Sequence, residues 1–182
     1  RKGETMRVLV IGSGGREHAL VWKLAMSPKV DKIYCIPGNP GISNIAECVP
    51  LSMNNHELCQ FALTHSIDLT VVRPEQPLSL GIVDVFSAQG LKIFGPTQAA
   101  AAIEGSKSFA KDLMKKYNIP TADFAVFSAI DQAKEYVMRH GAPIVVKADG
   151  LAAGKGVVVA MTLAEALAAI DMIMRDQVFG QA

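Results

Sequence analysis

Short β-branched runs alternate with segments of helical periodicity through the first half of the chain, and this alternation restricts the possible folds more than any other feature. Buried strands are predicted over Arg7–Ile11, Ile33–Ile36, Leu69–Val72 and Leu91–Phe94. Between them, helices are predicted over about residues 16–26, 55–66 and 82–89. A repeated strand–helix order is typical of a parallel sheet with helices on both faces, so the predicted fold class is α/β.

The pattern changes after Gly95-Pro96, and we place a boundary between two domains near residues 96–106. The predicted domains are residues 6–105 and 106–182, and residues 1–5 are interpreted as a leader or an expression remnant outside the fold. Helices are predicted over residues 98–103 and 106–117, on either side of this boundary. The second domain is further predicted to contain a strand over Phe124–Phe127, a helix over residues 131–140, and a helix from the capping box Thr162–Glu165 to about Arg175.

A glycine-rich segment lies between two apolar runs, Ile144–Val146 and Val157–Ala160. The first run ends in Lys147, and the loop carries Lys155 and three glycines. Strand, glycine loop and strand form a flap whose backbone N–H groups can cover a polyphosphate, with the lysines adding positive charge. A Walker A loop is excluded, because it needs four residues between its first glycine and the Gly-Lys pair, and then a helix. The alternative is a tight β-hairpin with solvated lysines.

A second glycine loop, Gly12–His18, follows the first predicted strand and opens a helix. The N–H groups and the dipole at a helix N-terminus favour a phosphate in this position. The dinucleotide fingerprint would require glycine where Glu17 stands, and an acidic residue where Ile36-Pro37 ends the second strand. An NAD-binding oxidoreductase domain is therefore the weaker alternative. A glycine turn that only permits close helix–strand packing is another.

Two more polar loops follow predicted strands, Gly38–Gly41 after the second and Arg73–Glu75 after the third. Because the carboxyl ends of parallel strands meet at one edge of a sheet, these loops are expected to lie beside the first glycine loop. Asn39 and Glu75 are suited to binding sugar hydroxyls or an amine. Three polar loops at one edge favour a small phosphorylated ligand.

The composition argues against several classes of partner. The 182 residues carry a formal net charge of +1 and no basic run, so nucleic acid is not expected as a partner. The longest apolar runs have the length of strands, and no segment has the layout of a signal peptide, so no membrane association is expected. The three cysteines form no C-x-x-C pair, and the histidines lack metal-ligand spacing. We therefore expect free thiols, no structural zinc and a cytoplasmic protein.

Six motifs in register resemble the phosphoribosylamine–glycine ligases (glycinamide ribonucleotide synthetases), an ATP-grasp family of purine biosynthesis. They are Val8–Leu20, Pro37–Gly41, Pro74–Glu75, Phe94–Thr97, Glu104–Lys107 and Val145–Val157. The resemblance implies a Rossmann-like (pre-ATP-grasp) N-terminal domain followed by the start of an ATP-grasp domain. It also implies ATP-dependent joining of glycine to 5-phosphoribosylamine through a glycyl phosphate, with Mg²⁺ or Mn²⁺.

The same resemblance assigns residues to two sites by their position in the motifs. Lys107 and Lys147 correspond to lysines that contact the ATP phosphates, with Lys147 as a phosphate stabiliser. The metal ligands are expected in a C-terminal part that this chain does not contain. The other ATP-binding residues implied are Asp149, Gly150, Leu151, Ala152, Ala153, Gly154, Lys155 and Gly156. The phosphoribosylamine side is implied to comprise Gly12, Gly14, Gly15, Arg16, Glu17, Gly38, Asn39, Gly41, Pro74 and Glu75.

The chain departs from the family pattern in two respects. Arg73 stands where the family usually has glycine, and its guanidinium could grip the substrate phosphate or fill the space that the ribose needs. We expect obstruction, because glycine at a ligand-facing turn marks close backbone approach. The chain is also considerably shorter than those of the family, so we expect no turnover from it alone. A non-catalytic module that binds phosphoribose or a nucleotide is therefore a further alternative.

Overall fold

The first half of the chain forms a five-stranded, wholly parallel sheet in the order β3-β2-β1-β4-β5. The structure is a computed structural model that describes residues 5–150 and 156–176, and the chain divides into two units, Arg1–Ala102 and Ile103–Ala182. The strands of the first unit are β1 (Met6–Gly12), β2 (Val30–Pro37), β3 (Glu47–Cys48), β4 (Leu69–Val72) and β5 (Ile93–Phe94). The predicted α/β class is confirmed.

Helices follow the strands of this sheet in the predicted alternation. They are α1 (Gly15–Ala25), α2 (Asn55–Thr64), α3 (Glu75–Ser79), α4 (Ile82–Ala88) and α5 (Gln98–Gly105), with a 3₁₀ turn at Ile42–Asn44. Neither β3 nor α3 was predicted. Strand β3 has only two residues, and α3 reads as a loop because Pro74 and Pro77 flank its start. Proline is tolerated there, since the first-turn N–H groups of a helix have no intrahelical partner.

Alternate side chains of β1 enter two separate cores. Leu9 and Ile11 pack on one face of the sheet against a cluster that includes Phe86, while Val8 and Val10 pack on the other face with Val21 of α1. All four β1 side chains are fully buried. Burial on both faces explains why β1 reads as a continuous apolar run instead of an alternating one. It also fixes the position of the loop that follows β1.

Helix α2 begins at a strong local signal. The Asn54 side chain accepts hydrogen bonds from the backbone N–H groups of His56 (2.9 Å) and Glu57 (3.2 Å). We expect Asn54→Ala to lower the free energy of unfolding by about 1 kcal/mol, because two first-turn donors lose their acceptor. Urea unfolding measures this change. Asn54→Asp, which keeps the acceptor, should stay close to wild type, and equal losses in both variants would contradict the capping explanation.

The second unit contains a two-stranded antiparallel hairpin covered by helices. Its elements are α6 (Lys107–Lys116), α7 (Ile130–His140), β6 (Ile144–Lys147), β7 (Val157–Ala160) and α8 (Leu163–Ile170), with a π-helical turn at Asp171–Arg175. Ala160, Ala166 and Val137 form its buried core. The predicted capping box is confirmed, since Thr162 accepts from the N–H of Glu165, whose carboxylate accepts from the N–H of Thr162.

The strand predicted over Phe124–Phe127 is wrong. These residues have no regular secondary structure in the described chain. Their apolar composition favours a strand, but a strand needs a ladder partner, and β6 and β7 pair with each other and with no other described strand. Phe127 instead packs against Tyr136 of α7, with ring centroids 5.1 Å apart. Among the described residues, no helix combines the length and the apolar character needed to cross a membrane.

Candidate functional site

Three loops meet at the carboxyl edge of the parallel sheet. Gly12 at the end of β1 pairs with Pro37 of β2, and Ile11 pairs with Val72 of β4, so the chain leaves all three strands at one level. A cleft of about 470 Å³ opens between the loop after β1 and the loop after β4. Its walls comprise Gly12, Ser13, Gly14, Gly15, Arg16, Glu17, Pro37, Met53, Arg73, Pro74 and Glu75.

The glycine loop after β1 is shaped around a buried carboxylate. Glu17 is only 6% exposed, and its Oε2 accepts a hydrogen bond of 2.6 Å from the backbone N–H of Gly14, the N-cap of α1. A Cβ on Gly12 would lie 2.6 Å from the Glu17 Cγ, and one on Gly14 would lie 2.9 Å from Oε2. Glu17 therefore fills the space beside both glycines and caps the helix. By contrast, a Cβ on Gly15 would meet nothing within 4 Å.

The loop after β2 supports the glycine loop from behind. The Asn39 side chain donates from Nδ2 to the carbonyl of Ser13 (2.8 Å) and accepts at Oδ1 from the N–H of Ile42 (2.9 Å). The N–H of Gly38 donates to the carbonyl of Gly12 (3.1 Å). A Cβ on Gly41 would lie 2.6 Å from a ring carbon of His18. Gly38, Asn39 and Gly41 thus fix the loop geometry and do not line the cleft.

The charged residues that line the cleft are two arginines and two glutamates, Arg16, Arg73, Glu17 and Glu75. Arg73 and Glu75 form a long ion pair, with 3.8 Å between an Arg73 terminal nitrogen and Glu75 Oε1, and their side chains are 39% and 42% exposed. Arg16, in the first turn of α1, is exposed and lines the same cleft. A pair so exposed contributes little to stability, so separating Arg73 from Glu75 has a small cost. Cations beside first-turn N–H groups suit a phosphate.

Sequence reasoning missed three residues of the cleft wall, Ser13, Pro37 and Met53. Ser13 and Pro37 adjoin recognised motifs, so their place follows from the sheet register. Met53 lies in the connection between β3 and α2 and carries no local signal. Only the folded chain brings it to the cleft.

In the second unit, Asp149 binds the first turn of α6. Its carboxylate accepts from the backbone N–H groups of Lys107 (2.6 Å) and Ser108 (3.2 Å) and from the hydroxyls of Ser106 (3.1 Å) and Ser108. The Lys107 ammonium likewise donates to the carbonyl of Gly150 (2.8 Å). The predicted ATP-side residues Lys107, Asp149 and Gly150 therefore lie together.

These contacts determine the protonation of Asp149. Partial burial by itself would raise the pKa of this carboxyl, but hydrogen bonds from the Ser108 hydroxyl and from the N–H groups of Ser108, Gly150 and Lys107 outweigh it and lower the pKa from 3.8 to about 2. A folded-state pKa below the unfolded value stabilises the fold at any pH above about 4, and this stabilisation is lost as the pH falls towards 2. Asp149 is thus ionised at neutral pH.

The two strands predicted on either side of the glycine loop are confirmed, and they pair antiparallel. Lys147, the last residue of β6, is exposed and pairs with Val157 of β7, and the N–H of Ala148 donates to the carbonyl of Gly156 (2.8 Å). Gly150 has a φ of +81°, a left-handed backbone conformation that favours glycine. The predicted ATP-binding residues Leu151, Ala152, Ala153, Gly154 and Lys155 lie outside the described residues.

Comparison with known families settles the ancestry of the chain. The sequence model described as "Phosphoribosylglycinamide synthetase, N domain" matches residues 6–104, more than half of the sequence. The chain belongs to the phosphoribosylglycinamide synthetase family. The family's "ATP-grasp (A) domain" model matches residues 105–182.

Curated relatives in the synthetase family carry the name phosphoribosylamine–glycine ligase. The ligase of Halalkalibacterium halodurans is 57% identical over 178 residues, which cover 97% of this chain and 42% of the relative. That of Brucella melitensis is 58% identical over 167 residues, covering 91% and 39% respectively. The chain therefore spans about two fifths of the length of these synthetases.

Solved structures agree with the synthetase assignment. The crystal structure of the phosphoribosylamine–glycine ligase of Thermotoga maritima is similar with a TM-score of 0.74 and 31% identity, over 96% of this chain and 41% of that one. The N5-carboxyaminoimidazole ribonucleotide synthetase of Thermus thermophilus has a TM-score of 0.65 at 19% identity, covering 91% of this chain and 43% of that one. That second likeness concerns the fold alone. In the described part of this synthetase chain, no group of three His, Cys, Asp or Glu side chains is placed to hold a metal ion.

Proposed function

We propose that the whole protein to which this sequence belongs joins glycine to 5-phosphoribosylamine at the expense of ATP, producing glycinamide ribonucleotide, ADP and phosphate. The observation that carries this proposal is the match of both synthetase domains along the chain, at 57% identity to a relative of that name. The work of such an enzyme is to position three small molecules and stabilise transferred charge. We further propose a cytoplasmic location and a requirement for Mg²⁺ or Mn²⁺, whose ligands the described residues do not supply.

Residues 6–105 are proposed to bind 5-phosphoribosylamine in the cleft at the carboxyl edge of the sheet. The open space above Gly15 and the first-turn N–H groups of α1 suit the approach of a phosphate. Arg16 supplies positive charge in the cleft, and Glu75 offers an acceptor for a hydroxyl or an amine. The Arg73 side chain is proposed to occupy part of the space that the ribose needs. The remaining substrate-side residues are proposed to shape the loops: Gly12, Gly14, Glu17, Gly38, Asn39, Gly41 and Pro74.

Residues 106–182 are proposed to be the first part of the ATP-binding domain. Lys147, exposed at the end of β6, would place its ammonium against the phosphates, and the loop 150–156 would cover them. In the proposed reaction an oxygen of the glycine carboxylate attacks the γ-phosphorus and ADP leaves. The amine of phosphoribosylamine then attacks the acyl carbon, and phosphate leaves. Cationic side chains and backbone N–H groups stabilise the negative charge that develops in both steps.

Calorimetric titration of the chain with ribose 5-phosphate tests the substrate site. This ligand keeps the ribose and phosphate of the proposed substrate, and NAD serves as the control for a dinucleotide site. We expect saturable binding of ribose 5-phosphate and none of NAD. Binding of NAD alone would replace the proposal with a dinucleotide-binding function. Failure of both ligands to bind, in wild type and in Arg73→Gly, would remove the cleft as the phosphoribose site.

A further inference from the structure

The start of the glycine-rich loop is tied to the first turn of α6 by hydrogen bonds that all run from residues 106–108 to residues 149–150. Asp149 accepts from the N–H of Lys107, 42 residues away in sequence, at 2.6 Å. The Lys107 ammonium donates to the carbonyl of the residue after Asp149, Gly150, at 2.8 Å. We call this set of contacts, made by residues 106–108 with residues 149–150, the loop anchor. Residues 106–108 supply every donor of the anchor, and residues 149–150 supply every acceptor.

The carboxylate of Asp149 occupies the anion position that the helix itself creates. Ser106, the N-cap of α6, accepts from the N–H of Phe109 and donates to Asp149, while Ser108 gives Asp149 both its N–H and its hydroxyl. With the N–H of Lys107, four donors from residues 106–108 therefore converge on the Asp149 carboxylate. They lie at the N-terminus of the helix, where a negative charge is most stabilised. A phosphate could reach these N–H groups only by displacing Asp149.

The anchor also explains an otherwise unfavourable cation. Lys107 is the first residue of α6, and the helix dipole disfavours a positive charge there. The ionised Asp149 compensates for that charge, and the Gly150 carbonyl holds the ammonium on the side of the loop. The position of the Lys107 ammonium therefore depends on where Asp149 holds the loop.

We infer that Asp149 is a positioning residue, which fixes residues 149–150, the root of the glycine-rich loop, to α6 and thereby places the Lys107 ammonium beside the Gly150 carbonyl. It acts through Lys107 and Gly150 and does not itself contact a nucleotide. The consequence for ATP rests on the proposed function, because only a phosphate ligand would make use of the ammonium so placed. The anchor itself does not depend on it.

Asp149→Asn tests the anchor, and Asp112→Asn is the matched control. Both variants remove one carboxylate charge, and Asp112 lies exposed on the same helix. Amide hydrogen exchange and ¹⁵N NMR of the lysine ammonium groups are measured on the whole chain. In Asp149→Asn we expect about tenfold or faster exchange at the Lys107 and Ser108 amides, because a charge-assisted acceptor is lost. The Lys107 ammonium signal should also shift, while Asp112→Asn should match wild type in both measurements.

A second variant tests the direction of the dependence. Lys107→Met removes the ammonium but keeps the backbone N–H groups that bind Asp149, so the Ser108 amide should stay protected. Two results would overturn the inference. One is an unchanged Lys107 ammonium signal in Asp149→Asn. The other is exchange that rises equally at the β6–β7 ladder, for example at Val158, since Asp149 would then only support the fold.

Nucleotide binding is measured separately, by titrating wild type and both aspartate variants with MgATP. If wild type binds, Asp149→Asn should bind about tenfold more weakly and Asp112→Asn equally well. Equal binding by Asp149→Asn, despite the shifted ammonium, would overturn the link from the anchor to ATP. If wild type does not bind, the proposed ATP site fails in this chain, whereas the exchange data still decide whether the anchor exists.

Discussion

Replacing Gly12 with alanine is expected to lower the free energy of unfolding by about 3 kcal/mol. Two effects combine at this position. Gly12 has a φ of +130°, which a residue with a Cβ adopts only under strain, and the new methyl group would lie 2.6 Å from Cγ of the buried Glu17. Moving Glu17 aside would break its 2.6 Å hydrogen bond to the N–H of Gly14 and leave the first turn of α1 uncapped. Urea unfolding, with the m-value compared between variants, measures the loss.

Gly15→Ala is the matched control for this prediction. Gly15 is the first residue of α1, and a Cβ there meets nothing within 4 Å, so stability should be unchanged or slightly higher. A double-mutant cycle separates strain from collision. In a Glu17→Ala background the Gly12→Ala substitution should cost less, because the side chain it strikes has gone. Equal costs in the two backgrounds would show that Glu17 does not constrain Gly12.

Replacing Arg73 with glycine is expected to tighten the binding of ribose 5-phosphate by about tenfold. Arg73 lines the cleft and is half-buried against Glu75, so its side chain occupies space at the end of β4. Removing it opens that space and frees Glu75 from its ion pair, which is long and exposed and therefore contributes little. Arg16 still supplies a cation to the same cleft. Calorimetric titration of both chains gives the two dissociation constants.

Arg73→Lys distinguishes obstruction from electrostatics. It keeps the positive charge but lacks the planar guanidinium. If obstruction dominates, the glycine variant should bind most tightly, with the lysine variant closer to wild type. Weaker binding by Arg73→Gly, with lysine retaining the affinity of the original chain, would show that residue 73 grips the phosphate. That outcome would reverse the prediction while leaving the cleft as the substrate site.

Much of the architecture and part of the site could be predicted from the sequence, because their signals are local. Apolar runs such as Val8–Ile11 identify strands by periodicity, and the capping box Thr162–Glu165 marks a helix start with residues three apart. The loops after three parallel strands must meet at one edge of a sheet, so Glu75 could be predicted to lie near the first glycine loop. In the folded chain both line the same cleft. The position of Lys147 at the end of β6 could likewise be predicted, because it directly follows the apolar run Ile144–Val146.

Tertiary structure decided which contacts the polar side chains of the site make. Their partners are distant in sequence or are backbone N–H and carbonyl groups, which every kind of residue carries. Asn39 suits a sugar hydroxyl by composition, yet its amide binds the Ser13 carbonyl of another loop. Phe124–Phe127 has strand-forming residues but no ladder partner within residues 5–150 and 156–176, so it remains irregular. Asp149 reads as part of a phosphate loop, and only folding brings it to the N-terminus of α6. The sequence by itself determined which segments become strands and helices, because that depends on neighbouring residues. Contacts between residues tens of positions apart determined which polar groups bind each other and which remain open to a ligand.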